Sequence, residues 1–185
     1  MITFISGGAR SGKSKYAERK AVSTYKEHLH DNRSARLCYI ATSKRSDVEM
    51  EERIRLHQKM RGEVEEWETH EESYDFSLLL CSCHSYDVLL IDCLTIWINN
   101  VMFDLQYSLQ EIEEIVNRWI MIAKQKHLHL IFVSNDVNEG LPHTSKDVLR
   151  YMYTLQHVHK IIVQHADDAI QVIAGIPIYW KGGGQ

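Results

Sequence analysis

Basic residues are neither abundant nor clustered in this chain of 185 residues. Lys and Arg number 21 against 25 Asp and Glu, for a formal net charge of −4. Phosphate-backbone binding needs a dense positive stripe, so nucleic acid is not expected as a partner. Long apolar runs are missing too. None approaches the roughly 18–20 residues that span a bilayer, so no membrane span is expected. Met1–Ser6 enters a glycine-rich loop without a basic start or a cleavage site, which makes the cytoplasm the expected location. Cysteine is scarce: Cys38, Cys81, Cys83 and Cys93 are too few and too irregular for a disulfide framework. Cys81-x-Cys83-His84 has no second ligand pair to complete a zinc site, so the four read as reduced thiols. The eleven His residues are scattered rather than gathered in a tract. With no internal repeat, low-complexity segment or linker, residues 1–181 read as a single domain, followed by a frayed tail at 182–185.

What is present alternates between two periodicities. Leu37–Ala41, Val88–Ile91 and Leu130–Val133 are short apolar runs of the kind that form buried strands, Ile2–Ser6 is a short β-type run, and Ala169–Ile173 and Ile176–Trp180 read as strands joined through Ala174-Gly175. Helices are expected over about 13–27, 47–60, 76–83, 94–104 and 145–166, and from a start at Ser108 through Ile122, with a loop at 28–36 and no firm assignment for 67–71. Ser108-x-x-Glu111 is a capping box, in which each side chain satisfies a free backbone N–H at a helix start. Ile112, Ile115, Val116, Trp119 and Ile122 then form one apolar helical face. Strands alternating with helices predict an α/β fold, a mostly parallel sheet flanked by helices, of the RecA-like P-loop NTPase type.

The strongest local signal is Gly7-Gly8-Ala9-Arg10-Ser11-Gly12-Lys13-Ser14, which matches the P-loop pattern at every fixed position and sits between a strand and a helix. Glycines let the backbone wrap closely around phosphate oxygens with its N–H groups pointing inward. The following helix adds its positive end. Lys13 is expected to reach the β- and γ-phosphates and Ser14 to ligate Mg²⁺. Asp92, at the end of an apolar strand, is the expected second metal group. A P-loop alone does not name a reaction. A switch GTPase would need an Asn-Lys-x-Asp motif, whereas the chain has Asn135-Asp136-Val137-Asn138. The Arg-rich lid of a nucleoside-monophosphate kinase is not evident.

Further segments, in order, carry a resemblance. They are YIATS at 39–43, E-M-x-x-R-I-x-x-H-x-x-x-R from Glu49 to Arg61, W-x-T-x-E from Trp67 to Glu71, and LLIDCLTIWINN at 89–100. The stretch from Asn135 to Gly140 with Pro142, Ala166-Asp167 and Gly175-Ile176 complete the set. Together with the P-loop they make the chain resemble the bifunctional adenosylcobinamide kinase/adenosylcobinamide-phosphate guanylyltransferase family of cobalamin biosynthesis. That resemblance implies ATP and GTP as substrates, Mg²⁺ as cofactor, adenosylcobinamide as the corrinoid partner, and a homo-oligomer, in this family a trimer. It implies phosphorylation of the aminopropanol hydroxyl, then GMP transfer through a guanylylated histidine, which falls on His57. Thr42, Ser43 and Lys44 match a stretch at the nucleotide site. Gln58, Lys59, Met60 and Arg61 would line phosphate or guanosine, and Glu71 and Asp92 match acidic positions that contact GTP or its metal.

Read from the residues themselves, His57 has Arg53 and Arg61 at i−4 and i+4 on the same helical face. Flanking guanidinium groups would disfavour a charged imidazole and attract a triphosphate. The chain departs from the family pattern at Asp136 and Asn138, and again at Gln156–Lys160, where His157 and His159 lie two apart and do not share a helical face. A P-loop kinase lacking guanylyl transfer, or a nucleotide-dependent switch, are the competing readings.

Overall fold

The computed structural model describes residues 1–44, 65–136 and 145–183. In chain order the elements are β1 Ile2–Gly7, α1 Lys13–His30, β2 Leu37–Ala41, β3 Glu68–Glu71, α2 Ser77–Ser82, β4 Val88–Asp92, α3 Leu94–Phe103, α4 Leu109–Lys126, β5 His129–Asn135, α5 Lys146–His165, β6 Asp168–Ile173 and β7 Ile176–Lys181. The helix expected over 47–60 lies outside the described residues.

The seven strands form one sheet in the order β3-β2-β4-β5-β1-β6-β7. All neighbours pair in parallel except β6 and β7, which are antiparallel. The apolar runs of β1, β2, β4, β5 and β6 are largely buried on both faces, whereas β7 at the sheet edge is mostly exposed. Ile5, Tyr39, Ala41, Leu90, Val133 and Val172 pack on Ala17 and Ala21 of α1. Phe4, Cys38, Ile40, Ile91 and Phe132 face α2 to α5 across the other side. Trp119 of α4 stacks on Phe76 with ring centroids 3.8 Å apart and donates its indole N–H to Asp75 at 3.0 Å. Truncating an aromatic of this size in such a core typically costs about 3–5 kcal/mol.

Two expectations change. Helix α1 continues three residues past Glu27, with His28 and His30 at its negative end and Asn32 in the left-handed region (φ 56°) ending the run. Residues 68–71, without a firm assignment from sequence, form an edge strand. Among the described residues only β2 pairs with it, so its polar Glu-Thr-His-Glu sequence can face water. The capping box at Ser108 is present, with Glu111 N–H donating to Ser108 Oγ and Ser108 N–H to the Glu111 carboxylate. At the tail, Gly183 N–H donates to the Asp168 carboxylate at 3.3 Å, so the chain is tied back at least that far.

Candidate nucleotide site

The glycine-rich loop leaves β1 at Gly7 and turns into α1 through Gly12, whose φ of 88° is left-handed. Gly7 allows a close approach. A Cβ there would lie 2.5 Å from the Val172 carbonyl oxygen and 2.6 Å from Ser11 Oγ. Lys13 is buried, and its ammonium donates across the loop to the Gly8 carbonyl at 3.1 Å. Ser11 Oγ is buried with no hydrogen-bond partner among the described residues. The first turn of α1 has neither a side-chain cap nor an acidic residue, so its positive end faces the loop uncompensated. Ala9 and Arg10 are exposed at the loop tip and Ser14 is half-buried. A buried cation, a partnerless hydroxyl and an uncapped helix start form a cradle suited to phosphate oxygens.

The carboxyl ends of the neighbouring strands bring further groups to this edge. Asp136 N–H donates to the Gly7 carbonyl at 3.0 Å, so this acid sits beside the loop strand, and Gln171 reaches its carboxylate at 3.5 Å. Asp92 ends β4 and accepts the Tyr39 hydroxyl at 3.1 Å. Because β5 lies between β1 and β4, the Gly7 and Asp92 strand ends are two strand spacings apart, about 10 Å. Below them, His159 is bonded to Ser134 Oγ at 2.7 Å. Burial pushes its imidazole down to about 4, against the opposing pull of Asp136, so it is a neutral buried ring. His157 is half-exposed beside Glu113. Neither is placed as a metal ligand.

Other expected site residues are arranged differently. Thr42 is fully buried, and its hydroxyl is engaged with Cys93, accepting from its N–H and donating to its carbonyl, both at 2.9 Å. Lys44 turns to Asp104 and lies over the Tyr74 ring, 5.0 Å from its centroid. Ser43 is half-buried, and Glu71 is exposed at the end of β3, level with Ala41. His57 and Gln58, Lys59, Met60 and Arg61 lie outside the described residues. Sequence reasoning missed Tyr39 as the donor to Asp92, Gln171 beside Asp136, and the β6–β7 turn against the loop. Their contacts cross between elements and leave no local pattern. A cavity of about 800 Å³ at the opposite, amino ends of the strands, lined by Lys20, Arg33, Lys124 and His127, contains none of these residues.

A glycine cradle between the first strand and its helix, with an acid two strands away at the same sheet edge of a mostly parallel sheet, is the arrangement of a P-loop nucleotide-binding protein. The family described as cobinamide kinase / cobinamide phosphate guanyltransferase matches residues 3–179, and the chain belongs to it. It is 30% identical over 183 residues to the bifunctional adenosylcobalamin biosynthesis protein CobP of Pseudomonas aeruginosa, covering 98% of both chains. It is 28% identical to the bifunctional adenosylcobalamin biosynthesis protein CobU of Escherichia coli, over 98% of this chain and 100% of that one. A KaiC-like protein of Pyrococcus horikoshii is 12% identical, with a TM-score of 0.48 over 92% of this chain and 69% of the other. Among the described residues no helix is long and apolar enough to cross a membrane.

Proposed function

We propose that this chain phosphorylates adenosylcobinamide and then converts the product to adenosylcobinamide-GDP. The observation that carries the reading is the family match across residues 3–179, laid over a phosphate cradle built around Lys13. In the kinase step the aminopropanol hydroxyl attacks the γ-phosphorus of ATP or GTP. The new O–P bond forms as the bond to the nucleoside diphosphate breaks, and the hydroxyl proton leaves to solvent or a base. Lys13 and the loop N–H groups stabilise the charge that spreads over the transferring oxygens.

In the second step a His57 ring nitrogen attacks the α-phosphorus of GTP and expels pyrophosphate. The phosphate of the kinase product then displaces the histidine and takes the GMP. Glu71, exposed at the end of β3, supplies acceptors that match the N1–H and N2 donors of guanine. The Ser14 hydroxyl and the Asp92 carboxylate are hard oxygen donors at one sheet edge, a set that suits Mg²⁺. They would hold the ion, which neutralises phosphate charge when bound. The same reading expects a cytoplasmic setting and a homo-oligomer. Exposed Ile176, Ile178 and Trp180 of β7 offer apolar surface to a second copy.

The test is incubation with GTP labelled on the α-phosphorus, followed by isolation of an acid-labile protein adduct. Wild type is expected to form the adduct and His57→Ala is not. An absent adduct, or one that survives His57→Ala, overturns the guanylyl step. Transfer of γ-label from ATP to adenosylcobinamide then separates a kinase from a nucleotide switch.

A further inference from the structure

At the β2–β3 edge Cys38 lies opposite Glu68 and Ile40 opposite His70. Side chains alternate along strands, so Cys38, Glu68 and His70 project from one face of the sheet, the face that packs against α2 to α5. Their donor atoms all lie within 4.8 Å of one another. Cys38 Sγ is 3.9 Å from Glu68 Oε2, and His70 Nε2 is 3.4 Å from Glu68 Oε1. Tetrahedral Zn²⁺ holds nitrogen and oxygen at about 2.0–2.2 Å and sulfur at about 2.3 Å, which separates neighbouring ligand atoms by about 3.3–3.8 Å. The Glu68–His70 spacing falls within that range; the Cys38 spacing is to the other carboxylate oxygen, and side-chain rotations are needed to draw the three donors, already within 4.8 Å of one another, onto a common centre.

We propose that Cys38, Glu68 and His70 form a Zn²⁺ site with three protein ligands and a fourth position for water. A thiolate, an imidazole and a carboxylate favour zinc over Mg²⁺ or Ca²⁺, which prefer all-oxygen shells. Arg36 is anchored on the buried Asp87 carboxylate through Nε at 3.0 Å and Nη2 at 2.7 Å. Its Nη1 reaches Glu68 Oε2 at 3.3 Å, leaving Oε1 turned toward His70. Without metal, Cys38 is a buried thiol whose S–H donates to Glu68. On binding, the S–H bond breaks, sulfur keeps the electron pair for the S–Zn bond, and the proton passes to water.

The site is separate from the nucleotide cradle. Cys38 precedes Ala41, at the carboxyl end of β2, by three residues, about 10 Å along the strand. Zinc here would fasten the edge strand β3 to β2 and so hold Glu71 at the end of β3. The bland alternative is a polar strand edge in which the thiol merely donates to Glu68.

Metal-free full-length protein titrated with Co²⁺ and then Zn²⁺ decides between them. One equivalent of Co²⁺ is expected to give a near-ultraviolet thiolate charge-transfer band and tetrahedral visible bands, displaced by Zn²⁺. The thermal midpoint is expected to rise with Zn²⁺. Cys38→Ser should abolish the charge-transfer band, and Cys81→Ser, at an exposed thiol elsewhere, should keep it. Loss of an outer-shell partner alone costs 10–100-fold in metal affinity, so His70→Asn should weaken Zn²⁺ binding by about tenfold or more. That half-exposed position also serves if Cys38→Ser fails to fold. No charge-transfer band, a band that persists in Cys38→Ser, or equal Zn²⁺ affinity in wild type and His70→Asn overturns the site.

Discussion

Replacing Thr42 by Val tests whether this residue clamps the strand ends or binds nucleotide. Its side chain is fully buried, and the valine side chain fills nearly the same volume, so no cavity opens. The backbone bonds are untouched: Thr42 N–H still donates to the Asp92 carbonyl at 3.3 Å, and Asn100 still donates to the Thr42 carbonyl at 2.9 Å. What is lost is the hydroxyl that bridges Cys93. The Cys93 carbonyl keeps the Trp97 N–H at 3.1 Å, so it stays satisfied. The Cys93 N–H instead loses the hydroxyl it donates to at 2.9 Å. Stranding one buried donor costs about 1–3 kcal/mol. In a domain of this size each kcal/mol moves the melting midpoint by about 2–4 °C, so the expected fall is about 2–12 °C. Urea denaturation should show a lower midpoint with an unchanged slope, Thr42→Ser should stay near wild type, and nucleotide affinity of the folded variant should be retained. A Thr42→Val protein with wild-type stability and lost nucleotide binding would refute the clamp.

Two further perturbations follow from the same geometry. Gly7→Ala places a methyl group 2.5 Å from the Val172 oxygen and 2.6 Å from Ser11 Oγ. Overpacking of this kind costs about 1–3 kcal/mol and must shift the loop or β6. Both the denaturation midpoint and the affinity for a fluorescent nucleotide should fall; unchanged values would mean the contact is not tight in solution. Burial, assisted by the N-terminal ammonium and Lys20, pushes the His129 imidazole down to about 3. The unfolded chain titrates near 6.5 and so binds the proton first. Stability conferred by the neutral ring is therefore full above about 6.5 and lost as pH falls toward 3, by up to about 1.4 kcal/mol per pH unit. Unfolding free energies measured between about pH 7 and 5 should fall less steeply in His129→Gln than in wild type; parallel curves would refute the assignment.

Local signals carried much of this fold into view. The glycine spacing, the apolar run into Asp92 and the Ser108–Glu111 box each depend on residues a few positions apart, so sequence periodicity exposes them. Strand β3 escaped because Glu-Thr-His-Glu has no apolar face, and only its parallel partner β2 makes it a strand. Strand order was also hidden. Nothing local in Leu130–Val133 says that β5 lies between the loop strand and the Asp92 strand. The partner of Thr42 was hidden for a similar reason: its position beside the site is legible, but its hydroxyl partner, Cys93, is 51 residues away.

The C-terminal hairpin shows how topology completes a site that no motif describes. Strand β6 runs parallel to β1, so its last residue, Ile173, lies at the same sheet edge as the phosphate loop. A crossover helix would carry the chain away from that edge. A two-residue turn keeps it there, and Ala174 (φ 49°) and Gly175 (φ 83°) supply the left-handed pair that such a turn requires. The turn then meets the loop directly. Gly175 N–H donates to the Ser11 carbonyl at 2.8 Å, and Gly175 Cα lies 3.3 Å from where a Cβ on Gly12 would stand. The returning strand adds a bond between the Tyr179 and Tyr16 hydroxyls at 2.8 Å, and Asp168 at the start of β6 pairs with Lys20 at 3.3 Å. The loop and the first half of helix α1, as far as Lys20, are thus buttressed by β6 and β7, the antiparallel pair among the described strands. The exception to the parallel pattern is what holds the cradle's shape: Gly12 lets the turn's backbone pack against the loop where a side chain at Gly12 would push against Gly175.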